Sequence, residues 1–188
     1  MGSVNRRCLC RIAVAGAAFG LAGTFGMAGS AVARPAGYTV YTSCSNVSGS
    51  FHYSPGLLRT TKRKVQATVT STTSGCSNIF DGSLSGTGTF TALLSGKASV
   101  ASENFSGTFT INWPASSGYN PSNGNLTITD SSGVETVTGT VTSGFETGAV
   151  LNMQYVTNGK TGKGTRRHPV KAQTFTNTQP LTLSENTG

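Results

Sequence analysis

The sequence predicts an all-β domain, an antiparallel β-sandwich or a closed β-barrel of about 8–10 strands, standing behind an N-terminal secretory leader. Three observations carry this. Apolar residues recur at every second position along short runs. Turn dipeptides separate those runs. Beyond the leader, no segment repeats its apolar residues at helical spacing over three turns.

The leader comes first in the chain. Arg6, Arg7 and Arg11 form a positive start, Ile12 to Gly29 an apolar run, and Ala31-Val32-Ala33 a small-residue cleavage site. The expected organisation is therefore a signal peptide over 1–33 and a single all-β domain over 34–188. A retained anchor is the alternative, since about 20 apolar residues span a bilayer. The run is mostly Ala and Gly, however, and such small side chains gain little at about 25 cal/mol per Å² of buried apolar area. Cleavage is favoured, leaving no stable membrane span. Arg6-Arg7 followed by Cys8, Leu9, Cys10 and Arg11 resembles a twin-arginine export signal, although Asn5 stands where Ser or Thr is usual and Cys10 where an apolar residue is. General and twin-arginine export both remain open.

Cleavage changes the charge and the thiols. Of 14 Lys and Arg, three fall in the leader, leaving 11 against six Asp and Glu. Cys8 and Cys10 go as well, so Cys44 and Cys76 remain as an even pair in a protein expected outside the cytoplasm, where disulfides persist. Closing that loop would stabilise the fold by about 3–4 kcal/mol. A catalytic thiol would need a cationic neighbour, and only His52 is at all close in sequence.

The strands follow in order. Runs at 38–43, 47–53, 64–71, 83–94, 97–101, 104–113, 125–130, 134–142, 145–157 and 172–183 are expected to be extended. The clearest places Phe105, Gly107, Phe109, Ile111 and Trp113 on one face and Ser106, Thr108, Thr110 and Asn112 on the other. Pro55-Gly56, Asp81-Gly82, Asn123-Gly124, Ser132-Gly133, Ser143-Gly144 and Asn158-Gly159 read as tight turns between them. Hairpin-length connections imply antiparallel pairing. Gly86, Gly88, Gly107 and Gly139 interrupt apolar faces, which calls for bulges, barrel corners or an aromatic ring over the bare backbone.

Groups able to do chemistry are sparse. The acids are Asp81, Glu103, Asp130, Glu135, Glu146 and Glu185, and the histidines are His52 and His168. No nucleophile elbow, phosphate loop, zinc-protease helix or paired Cys-x-x-Cys occurs. No catalytic residue is assigned, and neither metal nor cofactor is expected, because the acids lack calcium-loop spacing and the histidines are too few for zinc. A small secreted hydrolase is an alternative that would depend on His52 or His168. For a glycosidase, Glu135 and Glu146 are the carboxylates best placed to lie on neighbouring strands.

Two basic clusters are the most distinct polar features: Arg59, Lys62, Arg63 and Lys64, then Lys160, Lys163, Arg166, Arg167 and Lys171 with His168. No acid falls between residues 147 and 184, so the second cluster presents a field of one sign, suited to cell-wall polymers or other anionic surfaces. Nucleic acid is disfavoured, because export separates the protein from it and no aromatics interleave the basic run. The segment Pro114 to Asn125 is a second candidate contact, with Tyr119 to stack and Asn120, Asn123 and Asn125 to hydrogen-bond. Trp113 just before it reads as core.

In "SCSNVSGSFHYSPGLL", "GTFTINWPASSG" and "VTGTVTSGFETGAVLNMQY" the chain resembles a group of secreted β-rich actinobacterial proteins over roughly residues 43–156. The matching features are Cys44 with Gly49, Gly75-Cys76, Ile111 with Trp113, and Thr138 to Gly144. The resemblance implies export, a Cys44–Cys76 bond and an all-β fold, and carries over no activity. The expected function is a non-catalytic exported protein, free or associated with the cell envelope, that acts through its surface. A secreted inhibitor or protein-binding module is the remaining alternative.

Overall fold

The computed structural model describes residues 38–131 and 133–186, and the leader expected over 1–33 lies outside them. Nine strands form: β1 (Tyr38–Leu57), β2 (Arg63–Asn78), β3 (Gly82–Leu84), β4 (Gly88–Ala98), β5 (Asn104–Asn112), β6 (Ser122–Ser131), β7 (Val134–Ser143), β8 (Val150–Thr161) and β9 (Val170–Asn186). Each pairs antiparallel in the order β1-β9-β8-β7-β6-β5-β4-β2, and β2 pairs again with β1, so eight strands close a barrel. The sequence left sandwich and barrel open; the β1–β2 pairing decides for the barrel.

The every-second-residue pattern now has a geometric meaning. On β2, Val65, Ala67 and Val69 point inward and Gln66, Thr68 and Thr70 outward. The apolar faces of all eight strands fill the interior with Phe51, Phe105, Tyr155, Phe175, Leu151 and their neighbours. An apolar lumen inside a hydroxyl-rich wall is the polarity of a barrel surrounded by water, the reverse of a lipid-facing one. No helix among the described residues is long and apolar enough to cross a membrane.

Cys44 and Cys76 are direct cross-strand partners on β1 and β2 and are disulfide-bonded.

Three of the six dipeptides expected to turn do not. Pro55-Gly56, Asn123-Gly124 and Asn158-Gly159 lie within β1, β6 and β8, where register slips occur between His52 and Leu57, at Asn123/Gly124 and between Thr157 and Gly159. At Asn158-Gly159 the slip is a bulge in β8, at Asn123-Gly124 the extra residue is Thr142 on the partner strand β7, and at Pro55-Gly56 five residues of β1 span two of β9. Positive φ separates the two classes: Gly82, Gly133 and Gly144, at or just beyond strand ends, have φ of 71°, 84° and 91°, whereas Gly56, Gly124 and Gly159 within strands do not adopt it.

Strand boundaries shift accordingly. The runs at 38–43 and 47–53 merge into β1, and 83–94 splits into β3 and β4. Both pieces pair with the same edge of β2, one residue out of step, because Gly86 at φ 98° takes up an extra residue. No separate strand occupies 97–101, where β4 ends at Ala98 and Ser99 bridges Ser102. Residues 145–149 form a turn before β8.

Two of the strand glycines, Gly107 and Gly139, belong to a belt. Tyr53, Ala67, Leu94, Gly107, Leu126, Gly139, Leu151 and Leu183 are successive cross-strand partners around the barrel, large mostly alternating with small. A Cβ on Gly139 would sit 2.6 Å from the Asn125 carbonyl oxygen and 3.0 Å from Leu126 Cβ. Bare backbone at these points lets neighbouring strands coil tightly while the leucines fill the lumen.

Candidate anion-binding end of the barrel

Antiparallel up-and-down connection gives the barrel two distinct ends. One carries the β1–β2 loop (58–62), the β4–β5 loop (99–103), the β6–β7 turn at Gly133 and the β8–β9 loop (162–169). Both basic clusters arrive there, although about 100 residues separate them in sequence. Backbone hydrogen bonds knit the loops together: Arg59 N donates to Gly164 O at 2.7 Å, Val100 N to Leu58 O at 2.8 Å and Ala101 N to Arg59 O at 3.1 Å.

Every described Lys and Arg lies at this end: Arg59 and Lys62 in one loop, Arg63 and Lys64 opening β2, Lys97 near the end of β4, Lys160 near the end of β8, Lys163, Arg166 and Arg167 in the β8–β9 loop, and Lys171 opening β9. Nine are exposed. Arg63 differs, because it stands on the inward parity of β2 and its guanidinium donates to the Gly56 carbonyl. Lys97 was not singled out from the sequence, being a lone cation; its parity and cross-strand partner place it directly opposite Lys64.

Beneath this rim the lumen holds carboxyls. Glu103 and Glu135 are 3 % and 6 % exposed. Burial pushes Glu103 up to about 8, with Glu135 and Asp130 adding repulsion against a lowering contribution from Tyr53, and burial likewise pushes Glu135 up to about 7, helped by Asp130. Tyr53 Oη lies 2.7 Å from Gln173 Oε1 and 3.1 Å from Glu103 Oε1. A phenol has one proton, so the consistent arrangement is a neutral Glu103 carboxyl donating to Tyr53 Oη, which donates to Gln173 Oε1. With the two buried acids holding their protons near neutrality, Asp130 beside the β6–β7 turn is the one remaining acid at this end among the described residues, so the ten cations far outnumber the negative charge there.

This network was missed at the level of sequence, where Glu103 and Glu135 read as scattered acids. A parity signal existed for one of them: Glu135 falls in step with inward Val137 and Val141. The expectation that Glu135 and Glu146 could lie on neighbouring strands is overturned. Glu135 begins β7 and Glu146 follows its far end, about 30 Å away at the strand rise of roughly 3.4 Å per residue. Glu146 instead accepts from Thr42 Oγ1 at 2.5 Å and Asn78 Nδ2 at 3.0 Å at the opposite end.

His52 points outward from β1 and His168 sits in the β8–β9 loop, both exposed, while Glu103 and Glu135 at that end face the lumen. Among the described residues, neither imidazole hydrogen-bonds a carboxylate, and no group of three His, Cys, Asp or Glu side chains could hold a metal ion.

The Tyr119 segment closes the opposite end. Tyr119 stacks on Phe145 with ring centroids 3.7 Å apart and its hydroxyl donates to Asp81, while Trp113 is buried and donates to Ser122 Oγ at 3.0 Å. Asn120 is exposed, but Asn123 and Asn125 belong to β6. Asn125 lines an outer groove with Ser106, Thr108, Thr127, Thr138 and Thr140, apart from Tyr119. The four residues are thus spread over a cap and a strand. No family model matches the chain, and no curated protein or solved structure matches it.

Proposed function

We propose that the protein is an exported, non-catalytic barrel that binds anionic polymers of the cell envelope through its cationic end. The carrying observation is the gathering of all ten described Lys and Arg at one end, where the acids are the buried Glu103 and Glu135 and the half-buried Asp130, while Asp81, Glu146 and Glu185 lie at the other. Such a polarised molecule approaches a negative surface in one orientation, and its attraction weakens as salt screens it. The disulfide fits an oxidising compartment, and the bonded loops give the charges a fixed scaffold.

The test is retention of the purified domain on immobilised poly(glycerol phosphate) and polygalacturonate at low salt. Retention that vanishes at high salt, and that weakens in a Lys163→Gln, Arg166→Gln, Arg167→Gln variant, supports the reading. Passage through both matrices at low salt would dismiss it.

A further inference from the structure

Lys64 and Lys97 are directly opposed on β2 and β4, both exposed on the outer wall. Like charges directly opposite one another across a sheet are destabilising. Around them the wall forms a cleft lined by Ser54, Gln66 and Ser95, with the Gly96 backbone in its floor. Ser54, Gln66 and Ser95 are themselves successive cross-strand partners, so a row of hydroxyl, amide and hydroxyl runs beside the lysine pair.

We propose that this cleft is a subsite for a single phosphate group of a phosphodiester-linked polyol polymer. The proposal rests on the anionic-polymer reading above and names its ligand chemistry. A carboxylate is planar and is best matched by the two parallel donors of an arginine fork. Among the described residues no arginine lines this cleft; two ammonium groups act as point charges beside a row of neutral donors. That set suits a tetrahedral anion, whose several oxygens accept from different directions at once. A bound phosphate would also relieve the Lys64–Lys97 repulsion. The adjoining exposed Pro55 ring offers apolar contact for the polyol carbons.

The experiment compares the intact domain with a Lys64→Gln, Lys97→Gln variant and an Arg166→Gln, Arg167→Gln variant on poly(glycerol phosphate), polygalacturonate and phosphatidylglycerol vesicles. Both lysines are exposed, so the first variant is expected to fold, and its circular dichroism and melting confirm this. The cleft variant should lose roughly tenfold in affinity for poly(glycerol phosphate), the scale of charge-assisted hydrogen bonds, and much less for polygalacturonate. The rim variant should weaken both polymers alike. The polymer should also raise the melting temperature of the intact domain more than that of the cleft variant. Equal losses for both polymers in the cleft variant would overturn the subsite while leaving the general reading intact. Binding to vesicles without binding to the phosphate polymer would overturn it in favour of a lipid surface. Binding to none of the three would remove the anionic reading itself.

Discussion

Glu135 and Tyr155 face each other as direct partners on β7 and β8, both inside the barrel, and neither Glu135 Oε2 nor the Tyr155 hydroxyl has a hydrogen-bond partner among the described residues. Tyr53 and Glu103 complete the same buried layer, which lies beneath the cationic loops.

Stability should fall as pH rises. Glu103 and Glu135 titrate at about 8 and about 7 in the folded protein against 4.5 ordinarily, so the native state keeps protons that the unfolded chain releases. Their contribution is fully present below about pH 4.5 and is lost as pH passes through 7 and then 8. Glu103 alone accounts for a loss on the order of 5 kcal/mol. Urea midpoints across this range should decline, and Glu103→Gln should flatten the decline. A midpoint that rises with pH would mean the carboxyls are not held neutral.

The two buried tyrosines should respond differently to loss of their hydroxyls. Tyr53→Phe leaves Gln173 and Glu103 without their shared partner and should cost about 1–3 kcal/mol. Tyr155→Phe removes a buried hydroxyl that has no partner among the described residues and should leave stability unchanged or raise it. Paired denaturant melts of the two variants decide this.

Replacing Cys44 and Cys76 by Ser opens a loop with a separation of 32 residues and should cost about 3–4 kcal/mol in the chain-entropy account. For a domain of this size the melting point should drop by about 10 °C. An equal melting point for oxidised and reduced protein would contradict it.

Gly139→Ala pushes a methyl against the Asn125 carbonyl oxygen and Leu126 within the belt. Overpacking of this kind should cost about 1–3 kcal/mol. Gly133→Ala meets no atom within 4 Å but adopts φ 84°, so it should also destabilise, through backbone strain alone. A stabilised Gly139→Ala variant would show that the belt is loosely packed.

The all-β class was legible because inward residues such as Val65, Ala67 and Val69 keep strict parity, a local property that short windows reveal. Barrel closure was not, because it depends on β1 pairing with both β2 and β9, and β9 is more than 100 residues away in sequence. Pro55-Gly56 and Asn158-Gly159 misled for a physical reason, since the same dipeptides serve bulges and turns. The basic clusters were visible as runs, yet their meeting at one end follows from strand direction, and Lys97 joins them through its partner Lys64. Glu103 and Glu135 stayed hidden because a buried carboxyl next to a strand end looks like any exposed one until its neighbours are known.

The most direct test of the central claim is the salt dependence of binding to poly(glycerol phosphate), measured as log K against log salt for the intact domain and the Lys163→Gln, Arg166→Gln, Arg167→Gln variant. The account predicts a steep negative slope for the intact domain and a shallower one for the variant, because fewer counterions are released. A flat slope, or identical slopes for the two proteins, would contradict a cationic end that binds anions.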